Sequence, residues 1–97
     1  MAILLTPDGK THNISPKNGA TFTADEIREL VGGWLECVRL RHGRLMWIND
    51  EGKLRKLPHN PLATILARSA LSPGDSIVGP AVVMTLQEAG ELPHRGR

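Results

Sequence analysis

The segment from Asn49 to Thr64 constrains the fold more than any other part of this sequence. It combines a turn sequence, a cationic stretch and the pair Asn60 and Pro61. Asparagine is among the best helix N-caps, and proline at the first helical position loses nothing because its N–H would be unpaired there. The segment therefore predicts a helix that begins at residue 61. If capping is the only role of Asn60, aspartate should replace it at little cost in stability.

The helix that follows this start is predicted over residues 61–70. Leu62, Ile65 and Leu66 recur at the i, i+3 and i+4 positions of one helix face. Such spacing is typical of a short helix that lays one apolar face on a sheet.

Turn and capping sequences divide the rest of the chain into one further helix and several strands. The capping box at Thr23–Glu26 and the glycines that follow Val31 predict a helix over residues 24–31. Alternating or apolar runs between turn residues predict strands over residues 2–6, 11–15, 34–41, 44–49, 76–78 and 81–86. Because hairpin-length connections outnumber crossover-length ones, we predict an α+β fold. A small antiparallel or mixed sheet of about five to six strands would carry two short helices packed on it.

The length of the chain, 97 residues, is enough for one domain with one modest core. Residues 1–86 are predicted to form a single α+β domain. Residues 87–97 carry Gly, Pro and charges of mixed sign without an apolar stripe, which predicts a flexible C-terminal tail. The sequence has no apolar run of roughly 18 residues and no charged lead-in to its N-terminus, so we expect a cytoplasmic protein without a membrane partner.

Catalytic and metal-binding motifs are absent from the sequence. Its histidines and its single cysteine stand far apart, whereas structural zinc sites need clustered N and S ligands. Cys37 lies in the middle of a predicted strand, where cysteine is usually an inert small hydrophobe. The pair Gly32 and Gly33 follows a helix, which is the wrong order for a phosphate-binding glycine loop. We therefore expect no enzymatic activity, no catalytic residue, no metal and no cofactor.

Basic side chains supply the candidate binding site. Between Trp34 and Asn60 there are six Lys and Arg residues against three Asp and Glu residues. Three arginines flank one predicted hairpin turn, and further cations lead into a helix N-terminus, whose free N–H groups also favour anions. The hypothesis is one anion- or partner-binding surface formed by Arg39, Arg41, Arg44, Lys53, Arg55, Lys56 and His59. A solvated charged face without a binding role is the alternative interpretation.

Three motifs in the same order resemble those of the phage and mobile-element family catalogued as Domain of Unknown Function 3846. They lie at Leu30–Val38, at Asn49–Leu54 together with Leu57–Asn60 and Ala63-Thr64, and at Gly74–Gly79. The resemblance implies a small cytoplasmic protein of phage or prophage origin. It implies no activity, because the family has no established one.

The function expected from these observations is that of a non-enzymatic binding module inside the host cell. Its partner would be a host protein or a small anionic ligand, and the origin suggests a host-takeover or anti-defence factor. The alternative is a nucleic-acid-binding accessory protein that uses the basic residues. Few aromatics are present for base stacking, and the two tryptophans, Trp34 and Trp47, are expected in the core.

We predict that metal removal leaves the folded protein unchanged, because the sequence lacks a clustered ligand set. Thermal unfolding curves recorded with and without a strong chelator should coincide. A clear drop in Tm on addition of the chelator would contradict this prediction.

Overall fold

The computed structural model describes residues 2–90 and 92 of the chain. Within this range there are five strands, β1 (Ala2–Leu5), β2 (Thr11–Ile14), β3 (Leu35–Arg39), β4 (Arg44–Asn49) and β5 (Ala81–Thr85). The helices are α1 (Ala24–Val31), α2 (Pro61–Ala67), which continues into a 3-10 turn (Arg68–Ala70), and α3 (Leu86–Ala89). All strand pairs are antiparallel, in the order β2-β1-β5-β4-β3. The predicted α+β class with a small antiparallel sheet is thus confirmed.

One face of the sheet is covered by α1 and α3. Cys37, Trp47 and Val82 point from the sheet into a buried cluster with Ile27 and Val31 of α1. Because successive residues of a strand point to opposite sides, this cluster takes every second residue of β3, β4 and β5. We call this side of the sheet the α1 face.

The opposite side, which we call the α2 face, forms a second core. Val38, Met46 and Val83 pack there against Ala63 and Ala67 of α2. The two predicted helices therefore lie on opposite sides of the sheet, and β5 is buried on both faces, as its continuous apolar sequence indicated.

Helix α2 buries a different face from the one that its larger apolar residues mark. Ala63 and Ala67 are fully buried against the sheet, whereas Leu62 is half-buried. Ile65 and Leu66 are 61% and 51% exposed. The small alanine side chains let the helix backbone approach the sheet closely, and the aliphatic stripe is then left pointing outward.

The ends of α1 follow the local sequence closely. The Thr23 hydroxyl accepts from the Glu26 N–H at 3.2 Å, and the Glu26 carboxylate accepts from the Thr23 N–H at 2.9 Å. A further hydrogen bond from the Lys17 N–H helps to hold the pKa of Glu26 below its ordinary value. The helix ends at Gly32, whose φ of 82° is the left-handed conformation that glycine adopts without steric cost.

Residues 76–78 do not form a strand of the sheet, contrary to prediction. They run beside the segment that leads into α2, where Val78 forms an isolated bridge with His59. The Asn60 N–H also donates to the Ile77 carbonyl at 2.8 Å. The apolar character of this stretch reflects the burial of Ile77 beneath α2, not pairing within the sheet.

The predicted domain end at residue 86 needs correction. A second capping box, Thr85–Glu88, starts helix α3 at Leu86, the helix continues into the predicted tail, and Leu92 is buried in the core of the α1 face. The folded domain therefore extends past residue 86. The rest of the predicted tail, residues 91 and 93–97, lies outside the described residues.

The Asn60 side chain is fully buried and makes three hydrogen bonds. Its Oδ1 accepts from the Ala63 N–H at 3.1 Å, which confirms the predicted cap. Its Nδ2 donates to the Leu5 carbonyl at 3.0 Å and to the Gly79 carbonyl at 2.8 Å. One amide therefore joins the end of β1, the start of α2 and the loop before β5.

We predict that Asn60→Asp is destabilising, in contrast to the nearly neutral effect expected of a simple cap. The carboxylate would keep the acceptor for α2 but would face two carbonyl oxygens in place of donating to them, which should cost at least about 2 kcal/mol. Asn60→Ala loses the cap as well and should cost roughly 3 kcal/mol or more. Urea unfolding at neutral pH measures both changes.

The exposed cap Thr23 gives the matched control. Thr23→Ala removes one helix cap but leaves no buried carbonyl without its hydrogen-bond donor, so it should cost only about 0.5–2 kcal/mol. Equal stability of Asn60→Asp and the native protein would show that the two carbonyl contacts contribute nothing.

Cys37 is buried opposite Trp47, and this burial raises the pKa of its thiol to about 11. We predict that an aromatic disulfide reagent at pH 8 labels Cys37 only when the protein unfolds, because the folded thiol is protonated and covered. Above pH 9 the unfolded chain loses the thiol proton first, so this group should lower stability as the pH rises towards 11. Labelling of Cys37 in the native protein at a rate faster than that of unfolding would contradict a purely structural role.

Candidate functional site

The two ends of the sheet carry different sets of basic residues. We call the end with the turn between β3 and β4 the hairpin end, and the end with the Asn49–Gly52 turn the loop end. Strand β4 runs from one to the other over a span of about 17 Å. Helix α2 starts at the loop end, where Leu5 and Gly79 hold Asn60, and runs towards the hairpin end.

The seven residues of the predicted basic surface do not come together. Arg39, Arg41 and Arg44 lie at the hairpin end, whereas the other four lie at the loop end, namely Lys53, Arg55, Lys56 and His59. The physical reason is the length of β4, which separates the two groups by the full depth of the sheet.

Strand alternation divides the hairpin-end arginines further. Arg39 pairs with Leu45, whose side chain belongs to the core of the α1 face. Arg44 pairs with Thr85. This pair lies two residues along the strands from the pair Met46 and Val83, so it points to the same α2 face. Arg39 therefore lies on the opposite side of the sheet from Arg44.

Two of the loop-end cations are neutralised within the protein. Lys53 forms an ion pair with Asp75, and the Arg55 guanidinium lies 3.2 Å from a Glu51 carboxylate oxygen. Arg55 also donates to the Gly32 carbonyl at 3.4 Å. These side chains tie loops together, so their charge is already partnered inside the fold.

A groove lined by both aliphatic and basic side chains lies at the hairpin end of the α2 face. It has a volume of about 420 Å³, and its lining consists of Arg41, Ile65, Leu66, Arg68 and Ser69. Over the described residues, neither Arg41 nor Arg68 forms a side-chain hydrogen bond or an ion pair. We call this feature the α2 groove.

A second hollow of about 220 Å³ lies on the same face of the sheet. Its lining combines the aliphatic side chains of Ile3 and Val83 with Arg44 and Thr85. Arg44, like the two arginines of the α2 groove, has no ion pair within the described part of the chain. Three arginines that have no ion pair among the described residues therefore lie on the α2 face, towards the hairpin end.

Trp34 is not in the core, contrary to expectation, but 65% exposed at the loop end. The Arg28 guanidinium lies 5.2 Å from the centre of its ring and also pairs with Asp25. Trp47, in contrast, is buried as expected. The exposed Trp34 ring thus already has Arg28 as a cationic partner, and the carboxylate of Asp25 is bound to that same arginine.

Another groove, of about 710 Å³, lies along α1 and is rich in charge. Its Glu26 carboxylate holds the backbone of Thr23 and Lys17, and its Asp25 carboxylate pairs with Arg28. These groups form the cap and surface of α1, which accounts for their position without a ligand.

The sequence pattern does not predict the α2 groove as a site. It predicts Ile65 and Leu66 on the packing face of the helix. The positions of Ala63 and Ala67 do indicate this arrangement, because two small residues four positions apart can themselves form the packing face of a helix. The outward position of the larger residues then follows from the helical period.

Chemical groups for metal binding or catalysis do not gather at this groove. Across residues 2–90 and 92, no three His, Cys, Asp or Glu side chains lie in reach of one metal ion. In the same residues, no helix has the length and apolar character needed to cross a bilayer.

Comparison with known proteins gives one match. A family model described as "Domain of unknown function (DUF3846)" matches residues 1–94, a range that includes all the strands and helices described above. No curated protein and no solved structure matches the chain. Because the match spans nearly the whole sequence, the chain belongs to the DUF3846 family.

Proposed function

We propose that this protein is a non-enzymatic binding module that docks a partner protein on its α2 groove. The observation that supports the proposal is the exposure of Ile65 and Leu66, two large adjacent aliphatic side chains on one helix. Contiguous apolar surface with a polar edge is typical of protein interaction sites. Burial of the exposed part of each side chain by a partner would contribute about 1 kcal/mol or more.

The composition of α2 supports an interaction surface over a solvated one. From Pro61 to Ala67 the helix has no charged residue, although its outward side faces water. Surface helices of globular proteins usually place charged or polar residues on that side. The fold does not need Ile65 and Leu66 for its core, because Ala63 and Ala67 already form the packing face.

Nucleic-acid binding is the second candidate and has weaker support. A surface that follows a phosphate backbone needs adjacent cations and stacking aromatics. The cations are divided between two ends, and the exposed Trp34 lies beside a carboxylate. Binding that weakens steeply with salt would favour this candidate, whereas binding centred on Ile65 and Leu66 would depend on salt much less.

The cellular setting of the proposal comes from the sequence resemblance to a phage and mobile-element family. We place the protein in the host cytoplasm, where it binds a host protein as a host-takeover or anti-defence factor. Capture from host lysate, with and without nuclease, tests this setting. A partner that is lost on nuclease treatment would indicate nucleic acid instead.

We predict that Ile65→Gln combined with Leu66→Gln weakens partner binding about 30-fold or more, because roughly 2 kcal/mol of apolar contact is lost. Folding should change little, since exposed substitutions usually shift stability by about 0.5 kcal/mol or less. Titration of the captured partner measures the affinity, and urea unfolding measures the stability.

Leu54→Gln is the matched control for this prediction. Leu54 is 79% exposed but lies at the loop end, so its replacement removes apolar surface away from the groove. Loss of binding in Leu54→Gln, with normal binding in the groove variant, would place the interface at the loop end and contradict the proposal.

A further inference from the structure

We infer that the partner segment in the α2 groove is acidic, with Asp or Glu residues close to an apolar side chain. This inference rests on the proposed function, and adds to it the chemistry of the partner. It follows from the charged residues that line the groove, not from its aliphatic ones.

The first observation is that the groove concentrates positive charge which the fold does not neutralise. Arg41 from the hairpin turn and Arg68 from the end of α2 line the same groove as Ile65 and Leu66. Neither has an ion pair within the described residues. At the loop end, by contrast, Lys53 and Arg55 each have a carboxylate partner.

The second observation is that the described lining of the groove contains no acidic group. From Pro61 to Ala70 the chain contains no Asp or Glu, and none of the described residues that line the groove is acidic. Two guanidinium groups that share one cavity repel each other, so the fold gains no stability from the pair. Arg68 at the C-terminal end of α2 interacts favourably with the helix dipole, but this interaction does not account for Arg41 in the same groove.

The dimensions of the groove define the partner segment. Ile65 and Arg68 are three residues apart on one helix, a separation of about 5–6 Å between their Cβ atoms. The cavity of about 420 Å³ has room for a small number of side chains. A short segment with one or two bulky apolar residues and neighbouring Asp or Glu residues therefore matches both its size and its charge.

Arginine is well suited to this recognition. Its planar guanidinium binds a carboxylate through two parallel hydrogen bonds, and it is less strongly hydrated than a lysine ammonium. Arg44, in the neighbouring hollow on the same face, can engage a further carboxylate of a longer segment. Such charges mainly accelerate association and select the partner, while the apolar contact supplies the affinity.

Selection of a displayed library of random 12-residue peptides on the purified full-length protein tests the inference. We expect enriched peptides to carry Asp or Glu close to Leu, Ile, Phe or Met, and to lose binding to Ile65→Gln/Leu66→Gln. The same peptides should bind Arg41→Glu/Arg68→Glu about 10- to 100-fold more weakly than the native protein, mainly through a slower association rate.

The matched control is Lys10→Glu/Lys56→Glu, which changes two exposed cations away from the groove. Each substitution lowers the formal charge by two, so both double variants carry −2 in place of +2. The control should bind the selected peptides within about threefold of the native protein at physiological salt, where distant charges are screened. An equal loss in both variants would assign the effect to net charge and overturn the inference.

The stability of Arg41→Ala/Arg68→Ala gives an independent readout. Because neither arginine has an ion pair within the described residues, and Arg68 contributes only its interaction with the helix dipole, their removal should change the urea midpoint little. A marked loss of stability in this variant would show that the arginines serve the fold, which would overturn the inference.

The outcomes separate this inference from the proposed function. Peptides that depend on Ile65 and Leu66 but lack acidic residues, and bind Arg41→Glu/Arg68→Glu normally, would overturn the inference alone. No enriched peptide with that dependence would overturn both. A single-stranded oligonucleotide that loses affinity for the arginine variant but not for Ile65→Gln/Leu66→Gln would assign the arginines to phosphate, and would also overturn the inference.

Discussion

Asn60 holds the sheet, helix α2 and the loop before β5 together with one amide that has no contact with water. Its three hydrogen bonds, to Ala63, Leu5 and Gly79, can form only when all these parts are in place. A buried carbonyl or amide left without a partner costs about 1–3 kcal/mol, so any other register of α2 on the sheet is penalised. The position of the outward face of α2, and hence of the α2 groove, depends on this contact.

The groove is a direct consequence of how α2 packs. With Ala63 and Ala67 against the sheet, the helix lies close to β4 and β5 and turns Ile65 and Leu66 outward. Arg41 reaches the same groove because the hairpin of β3 and β4 ends beside the C-terminal half of α2. The binding surface that we propose is therefore not an added loop or pocket. It is the outer side of the contact that completes the second core.

Much of the fold was predictable, but the candidate site was not. Both main helices begin at the predicted caps, and the four hairpin strands lie within two residues of their predicted ends. Helix α3 carries the same capping-box signal as α1, at Thr85–Glu88, so a local signal could have identified it. The predicted single basic surface does not form, because residues that are close in sequence are far apart in space. Between Arg41 and Lys53 the chain crosses the whole sheet along β4, which carries the two groups to opposite ends.

The sequence by itself determined the turns, the helix starts and the fold class, because these depend on hydrogen bonds and backbone preferences within a few residues. The capping box at Thr23–Glu26 is an example, since its partners are three residues apart. Only the tertiary structure decided that Asn60 donates to Leu5, a partner 55 residues away, and that α2 packs through its alanines. Packing and burial depend on surfaces that the fold brings together, and spacing along one helix does not contain that information.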